Sequence, residues 1–198
     1  MDSSFPFIHR KGIFPSITLE KILDGIEVKY DTFIAVQSGI AVVCKEPRAT
    51  AWFSDSGNSF IYSGKVMEPV ELTPILKAIR DELETILGVH YCSVLVNYYP
   101  HGKSGMRYHS DPLFDPADPT KQIWVDNTAV ISVGDPRTFI VREKEDSPER
   151  KYYRFCVESG DVFQMTEGCQ AAYQHTVQVE KHEEDVGPRV SLVFKKHV

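Results

Sequence analysis

The spacing of apolar positions changes character near residue 88. Before it, helical periodicity alternates with short β-prone runs; after it, the pattern is mostly strands and turns. Ile17, Leu19, Ile22 and Leu23 form a short amphipathic run ended by Gly25, which predicts one modest helix. Residues 33–44, FIAVQSGIAVVC, are apolar and β-prone around a Ser38-Gly39 turn. Residues 46–64 place Trp52, Phe53, Phe60 and Tyr62 around a turn cluster, Ser54 to Gly57. That pattern predicts a β-hairpin whose aromatics either fill the core or offer a stacking face to a flat ligand. The clearest helix follows. Thr73 suits the N-cap and Pro74 the first turn. Ile75, Leu76, Ile79, Leu83, Ile86 and Leu87 then make one apolar stripe, and Gly88 suits the residue after the end. Such a stripe backs a sheet.

Downstream, strands are expected at 91–99, 106–111, 128–133, 137–142, 152–157, 161–165, 173–179 and 188–195. Helices first and strands afterwards predict a mainly β fold, a jelly roll with helical buttresses. The chain reads as one domain over 1–198. Residues 1–88 would supply an N-terminal extension and supporting helix, and 89–198 the jelly-roll core. Residues 112–122, rich in proline, and the charged stretch 143–151 read as loops.

Alternation carries the candidate chemistry. In 189–195, Val190, Leu192 and Phe194 share one face, while Arg189, Ser191, Val193 and Lys195 share the other. A fixed cation on an inner face costs several kcal/mol unless paired. Two partners are open to Arg189: a bound dicarboxylate, or one of the acidic residues at the rim. Tyr91, Ser93, Leu95, Asn97 and Tyr99 share a face in the same way. His109 and Asp111 are two apart, so one imidazole and one carboxylate can face a single ion from an extended chain. His175, in a distant β-prone run, is the candidate third ligand. Two His and one carboxylate leave open positions on the metal, the facial arrangement of non-haem Fe(II) oxygenases. The rival group His182-Glu183-Glu184 lies in a charged run that reads as surface.

Composition narrows the class. The 198 residues are 42% hydrophobic and 25% charged, which suits one well-buried core. The net charge of −6 argues against affinity built on wrapping a polyanion, unless basic residues gather on one face. Arg48, Lys65, Lys103, Arg107, Arg137, Arg142 and Lys144 lie near the segments of interest. The four cysteines are scattered, as reduced thiols would be, and no apolar run is long enough to cross a membrane. The start of the chain has no signal-peptide pattern. An intracellular monomer in cytoplasm or nucleus, away from membranes, is the expectation.

Several motifs in order resemble the AlkB family of Fe(II)- and 2-oxoglutarate-dependent dioxygenases: PRATAW (47–52), Tyr62-Ser63, Asn97-x-Tyr99, YHSD (108–111), PRTF (136–139), SGDVFQMTEGCQAAYQH (159–175) and PRVSLVF (188–194). The resemblance implies a double-stranded β-helix with N-terminal elements forming a nucleotide lid. It implies Fe(II) held by His109, Asp111 and His175 as the catalytic centre. It also implies 2-oxoglutarate gripped by Arg189, with Asn97, Tyr99, Ser191 and Lys195 around it. Arg48, Trp52 and Tyr62 match lid residues that touch substrate. Three positions depart from the family pattern. Lys195 stands where a second Arg is usual, Ser191 where many members have Asn, and Leu113 where nucleic-acid members often carry an acid. Asp115 or Asp118 in the following loop is the expected replacement for that acid. The implied reaction consumes O2 and 2-oxoglutarate, and it releases succinate, CO2 and an aldehyde from an N-alkylated base. That base lies in single-stranded or flipped-out DNA or RNA. Two rival readings are the same iron chemistry on a protein side chain or small molecule, and a jelly-roll binding module without turnover.

Overall fold

The computed structural model describes residues 5–37, 39–62, 65–145 and 147–198; the side chains of 33–37, Tyr62 and Glu183 lie outside the described set. The N-terminal half holds β1 (Phe7–Arg10), α1 (Leu19–Leu23), β2 (Thr32–Gln37), β3 (Ile40–Lys45), β4 (Ala49–Ser54), β5 (Phe60–Tyr62), β6 (Lys65–Met67) and α2 (Pro74–Leu87). The remainder holds β7 (Ser93–Tyr99), β8 (Met106–His109), β9 (Thr128–Gly134), β10 (Arg137–Glu143), β11 (Tyr152–Val157), β12 (Val162–Met165), α3 (Cys169–Ala172), β13 (Tyr173–Val177) and β14 (Arg189–Lys195). A six-stranded sheet runs β1-β12-β9-β14-β7-β4, and a four-stranded sheet runs β11-β10-β13-β8. The two form a mainly β, antiparallel double-stranded β-helix. Among the described residues no helix is long and apolar enough to cross a membrane.

The sheets pack through Tyr99, Val130, Phe163 and Met165 of the larger against Phe139, Val141, Val157 and Val177 of the smaller. The other face of the larger sheet presents Val94, Val96, Ile131, Val190, Leu192 and Phe194 to Leu76, Ile79 and Leu83 of α2. Thr73 caps α2 by accepting from the Leu76 N–H, and Gly88 ends it with φ +66°. The alternation expected for 189–195 therefore sorts correctly: apolar residues toward the helix, Arg189, Ser191, Val193 and Lys195 toward the cavity.

Three expectations are corrected. First, residues 46–64 do not fold back as a hairpin. β4 pairs antiparallel with β7, with Trp52 opposite Leu95, while β5 pairs with β6. Every residue of β4 is buried: β7 takes one edge of the strand, Ala51 and Phe53 join the core beneath α2, and Trp52 joins Phe60 and Trp124 on the other face. Second, the N-terminal part is not merely an extension. β1 and β4 are strands of the larger sheet, and Phe7 packs in the inter-sheet core. Third, Tyr91 precedes β7 and turns to the α2 side instead of sharing a face with Asn97 and Tyr99.

Candidate active site

His109 and His175 sit directly opposite each other on the paired strands β8 and β13, with ring centroids 4.2 Å apart. The register shifts between His175 and Val177, and the resulting bulge re-aims side chains at the edge of the smaller sheet. Asp111 lies just past the end of β8. The Asp111 N–H donates to Gln170 Oε1 (2.7 Å), and the Ser110 hydroxyl donates to the Tyr173 carbonyl (2.7 Å). These bonds turn the carboxylate inward, so that Asp111 Oδ1 is 3.6 Å from Nε2 of both histidines. All three donors fall within 4.8 Å of one another.

The protonation states suit a cation. His109 Nδ1 donates to the Arg107 carbonyl (2.9 Å), which leaves Nε2 turned toward Asp111 Oδ1. Burial, with His109 beside it, pushes the His175 imidazole down to about 3, so it is neutral at pH 7. Burial alone would raise Asp111. The Lys195 ammonium, 2.5 Å from Oδ2, together with the two imidazoles, instead holds it well below the usual carboxylate range. Lys195 thus occupies the outer oxygen of the carboxylate and leaves Oδ1 facing the imidazoles.

A cavity of about 940 Å³ opens beside these groups. Asn97, Tyr99, Arg189, Ser191 and Lys195 line it together with Leu95, Val130, Met165 and Val193. Arg189 is 2% exposed. Its Nε donates to Ser132 Oγ (2.8 Å) and its guanidinium lies 5.3 Å from the Tyr99 ring centroid. Burial lowers it to about 10, so it remains a cation at neutral pH. No carboxylate among the described residues pairs with it, and Arg189 Nη1 is a buried donor without an acceptor. A rim acid is therefore not its partner. A buried guanidinium with a free edge on a cavity wall fits the distal carboxylate of a small diacid. Next to it, Asn97 accepts from Arg48 Nε (2.8 Å) through Oδ1 and donates to Ser191 Oγ (3.4 Å) through Nδ2.

The residues expected to touch substrate separate. Arg48 is buried, lines the cavity and fixes Asn97. Trp52 does not reach the cavity wall. It is 2% exposed, donates to the Asn58 carbonyl, stacks on Phe60 at 4.7 Å and meets Trp124 edge-on, so it offers no face to a base. Phe60 lines the cavity instead. The Tyr62 side chain lies outside the described residues. Asp115 does not line the cavity either: its Oδ1 accepts from the Ala117 N–H (2.9 Å) and closes its own turn. Asp118 does the same for Thr120. Leu113 packs against the Trp52–Trp124 cluster. His182, Glu184 and Asp185 gather on the surface, fully exposed, as their charged run implied.

Residues that the sequence reading did not assign to the site also shape it. Gln170, 59 positions from Asp111, holds its backbone, and Ser132 holds Arg189. Arg137 is 2% exposed, donates to the carbonyls of His101 and Ser104, and lies 5.7 Å from the opposing Tyr99 ring centroid. It ties the loop before β8 to the wall that carries Arg189.

A family model, the 2OG-Fe(II) oxygenase superfamily, matches residues 29–195. Protein R406 of Acanthamoeba polyphaga mimivirus, itself uncharacterised, is 33% identical over 151 residues, 76% of this chain and 73% of its own length. The human DNA oxidative demethylase ALKBH2 is 27% identical over 192 residues, covering 93% of this chain and 70% of its own. The human alpha-ketoglutarate-dependent dioxygenase alkB homolog 3 is 30% identical over 161 residues, 78% of this chain and 53% of its own. Among solved structures, OsALKBH1 shares the fold with a TM-score of 0.61 over 96% of this chain and 98% of that one, at 17% identity. The match spans the two histidines, the aspartate and Arg189, and the chain belongs to the 2OG-Fe(II) oxygenase superfamily as an AlkB-like enzyme, a family that works with Fe(II), 2-oxoglutarate and O2.

Proposed function

We propose that this enzyme removes alkyl groups from N-alkylated nucleobases in DNA or RNA, with His109, Asp111 and His175 holding the ferrous ion. The observation that carries the reading is the free edge of a buried Arg189 on the wall of the cavity that also holds the His–Asp–His group. When bound, iron and 2-oxoglutarate supply an O2-dependent oxidation that yields succinate and CO2 and hydroxylates the N-linked carbon, which then leaves as an aldehyde.

The chain's own residues prepare that chemistry. Arg189 binds the distal carboxylate, and Ser132 and the Tyr99 ring keep its guanidinium flat against the wall. Asn97, aligned by Arg48 and Ser191, and Tyr99 border the cosubstrate. Lys195 holds Asp111 Oδ2, so that one oxygen serves the ion. Leu95, Val130, Met165 and Val193 exclude water from this end. The cavity has room for a small diacid and one flipped base.

Substrate assignment draws on the relatives, of which ALKBH2 is named a DNA oxidative demethylase. A second reading, the same chemistry on a protein side chain or small molecule, is favoured by Leu113, which packs half-buried against the Trp52–Trp124 cluster at the position where an acid would face a base. Formaldehyde release from oligonucleotides carrying single methylated bases, set against succinate formed without substrate, separates the two. The nucleic-acid reading requires formaldehyde in step with succinate. Succinate unaffected by every methylated oligonucleotide would favour the second reading.

A further inference from the structure

The outward face of the four-stranded sheet separates charge in a way the acidic chain as a whole does not. On β10, Phe139 and Val141 enter the inter-sheet core, so Thr138, Ile140 and Arg142 point the other way. On β11, Tyr153, Phe155 and Val157 pack inward, leaving Tyr152, Arg154 and Cys156 exposed. Gln174 and Thr176 of β13 and Tyr108 of β8 complete the same face. Arg142 is opposite Gln174 on one side and Tyr152 on the other. It donates to Gln174 Oε1 at 3.1 and 2.8 Å, and its guanidinium lies 3.8 Å from the Tyr108 ring centroid. One tier along, Arg154 donates to Gln178 Oε1 (2.8 Å).

Among the described residues, the outward positions of these four strands carry two arginines and two tyrosines and no carboxylate of their own; Glu180 and the exposed Asp185 flank Arg154 at one end, where they line a shallow depression with it. Both guanidiniums are aimed by neutral amides, which fix their direction without cancelling their charge. Glu180, at one end, accepts from the Thr138 N–H and hydroxyl and lies 3.8 Å from Arg137 Nε, and Glu143 turns to the other side of β10, where it accepts from the Lys151 N–H. The face is continuous with the cavity. Tyr108 and Gln178, partners of the two arginines, both line it, with exposed Lys103 and Arg107 at the rim. Four strands at about 4.8 Å spacing span about 15 Å, enough for a few nucleotides.

Building on the function proposed above, we propose that this face binds the single-stranded nucleic acid flanking the base in the cavity. Its phosphates meet Arg154 and Arg142, and its bases stack on Tyr152 and on the Tyr108–Arg142 pair. A net charge of −6 is then compatible with a polyanion, because the basic and aromatic groups it needs are gathered on one face whose neighbouring acids, Glu180 and Asp185, stand at one end.

The test measures binding of fluorescent single strands of about five and about fifteen nucleotides, each with one central methylated base, to the Mn(II)-loaded enzyme. The longer strand is expected to bind at least about tenfold more tightly. Arg154→Gln and Tyr152→Ser, both at exposed positions, should each weaken the longer strand several-fold and leave the shorter one unaffected. Arg154→Gln should also lower the slope of log affinity against log salt by about 0.7. Equal binding of the two lengths, unchanged affinity in both variants, or tighter binding of an acidic peptide than of the longer strand would overturn the proposal. If the enzyme supplied with Fe(II), 2-oxoglutarate and O2 demethylates the short strand while length makes no difference to binding, only this surface is wrong. If neither strand is bound or demethylated, the proposed function fails with it.

Discussion

Replacing Arg189 by Met should separate folding from cosubstrate binding. The guanidinium makes side-chain hydrogen bonds to Ser132, at 2.8 Å, and to Tyr99, and leaves Nη1 without an acceptor. Losing the two bonds costs about 2 kcal/mol, while removing an unsatisfied buried donor recovers roughly 1–3 kcal/mol. Met is flexible enough to fill the space along Tyr99. The variant should therefore unfold in urea within about 1 kcal/mol of wild type. Binding should respond quite differently. Truncating one partner of a buried, hydrogen-bonded charge pair costs roughly 2–5 kcal/mol, which is roughly 30-fold to several thousand-fold in Kd. Calorimetric titration of 2-oxoglutarate into Mn(II)-loaded protein reads this directly. Thermal melts give a second reading, since ligand at about 100 times Kd adds about 2.7 kcal/mol to wild type, and the variant should lose most of that gain. Arg189→Lys, which keeps the charge without the planar fork, should fall between the two. A Met variant that binds 2-oxoglutarate within twofold of wild type would refute the assignment of Arg189.

Lys195→Met should leave Asp111 Oδ2 buried without its cation and lower metal-free stability by roughly 3–5 kcal/mol; added Mn(II) should narrow the gap in urea midpoint, because the ion supplies the missing charge. Trp52→Ala should cost roughly 3–5 kcal/mol by emptying the cluster with Phe60 and Trp124, whereas Trp52→Phe should keep KM for a methylated oligonucleotide, which a stacking role for the indole would not allow. Asp161 supplies the pH dependence. Burial would raise its carboxyl, but the N–H groups of Glu158 and Gly12 and the His9 ring hold it below the usual range. A depressed carboxyl stabilises the fold above the ordinary carboxylate range, and that contribution is lost as pH falls through the lower folded value. Urea midpoints between neutral pH and pH about 3 should therefore fall less steeply in Asp161→Asn than in wild type, from a lower start.

What the sequence disclosed and what it hid follow one physical division. Local signals were legible: the Thr73 and Gly88 caps of α2, the strands from β7 onward, and the two-residue spacing of His109 and Asp111. The alternation in β14 was informative because both of its faces are buried, so a cation and a hydroxyl on one of them needed a reason. Long-range pairing was not legible. β4 reads as half a hairpin until β7, some forty residues on, covers it, and that same pairing buries Trp52 away from any ligand. Asp115 looks available as a charge, yet an Asx turn takes its oxygen. Lys195 sits in register on the strand with Arg189, but its partner Asp111 is 84 residues away, and only the assembled sheets reveal that it holds the Asp111 carboxylate. Gln170 and Arg137 lie inside the stretches 159–175 and 136–139 that resemble the family, but nothing local marks their role, which lies in the backbone groups they reach.

The most direct test of the centre is anaerobic titration of Fe(II) into the enzyme in the presence of 2-oxoglutarate. A weak visible charge-transfer band should grow and saturate at one equivalent of iron in wild type. It should be absent from the Ala variants of His109, Asp111 and His175 that remain folded by circular dichroism. A folded variant lacking any one of these side chains that still develops the full band, or still forms succinate at the wild-type rate, would contradict the assignment of the three as the iron ligands.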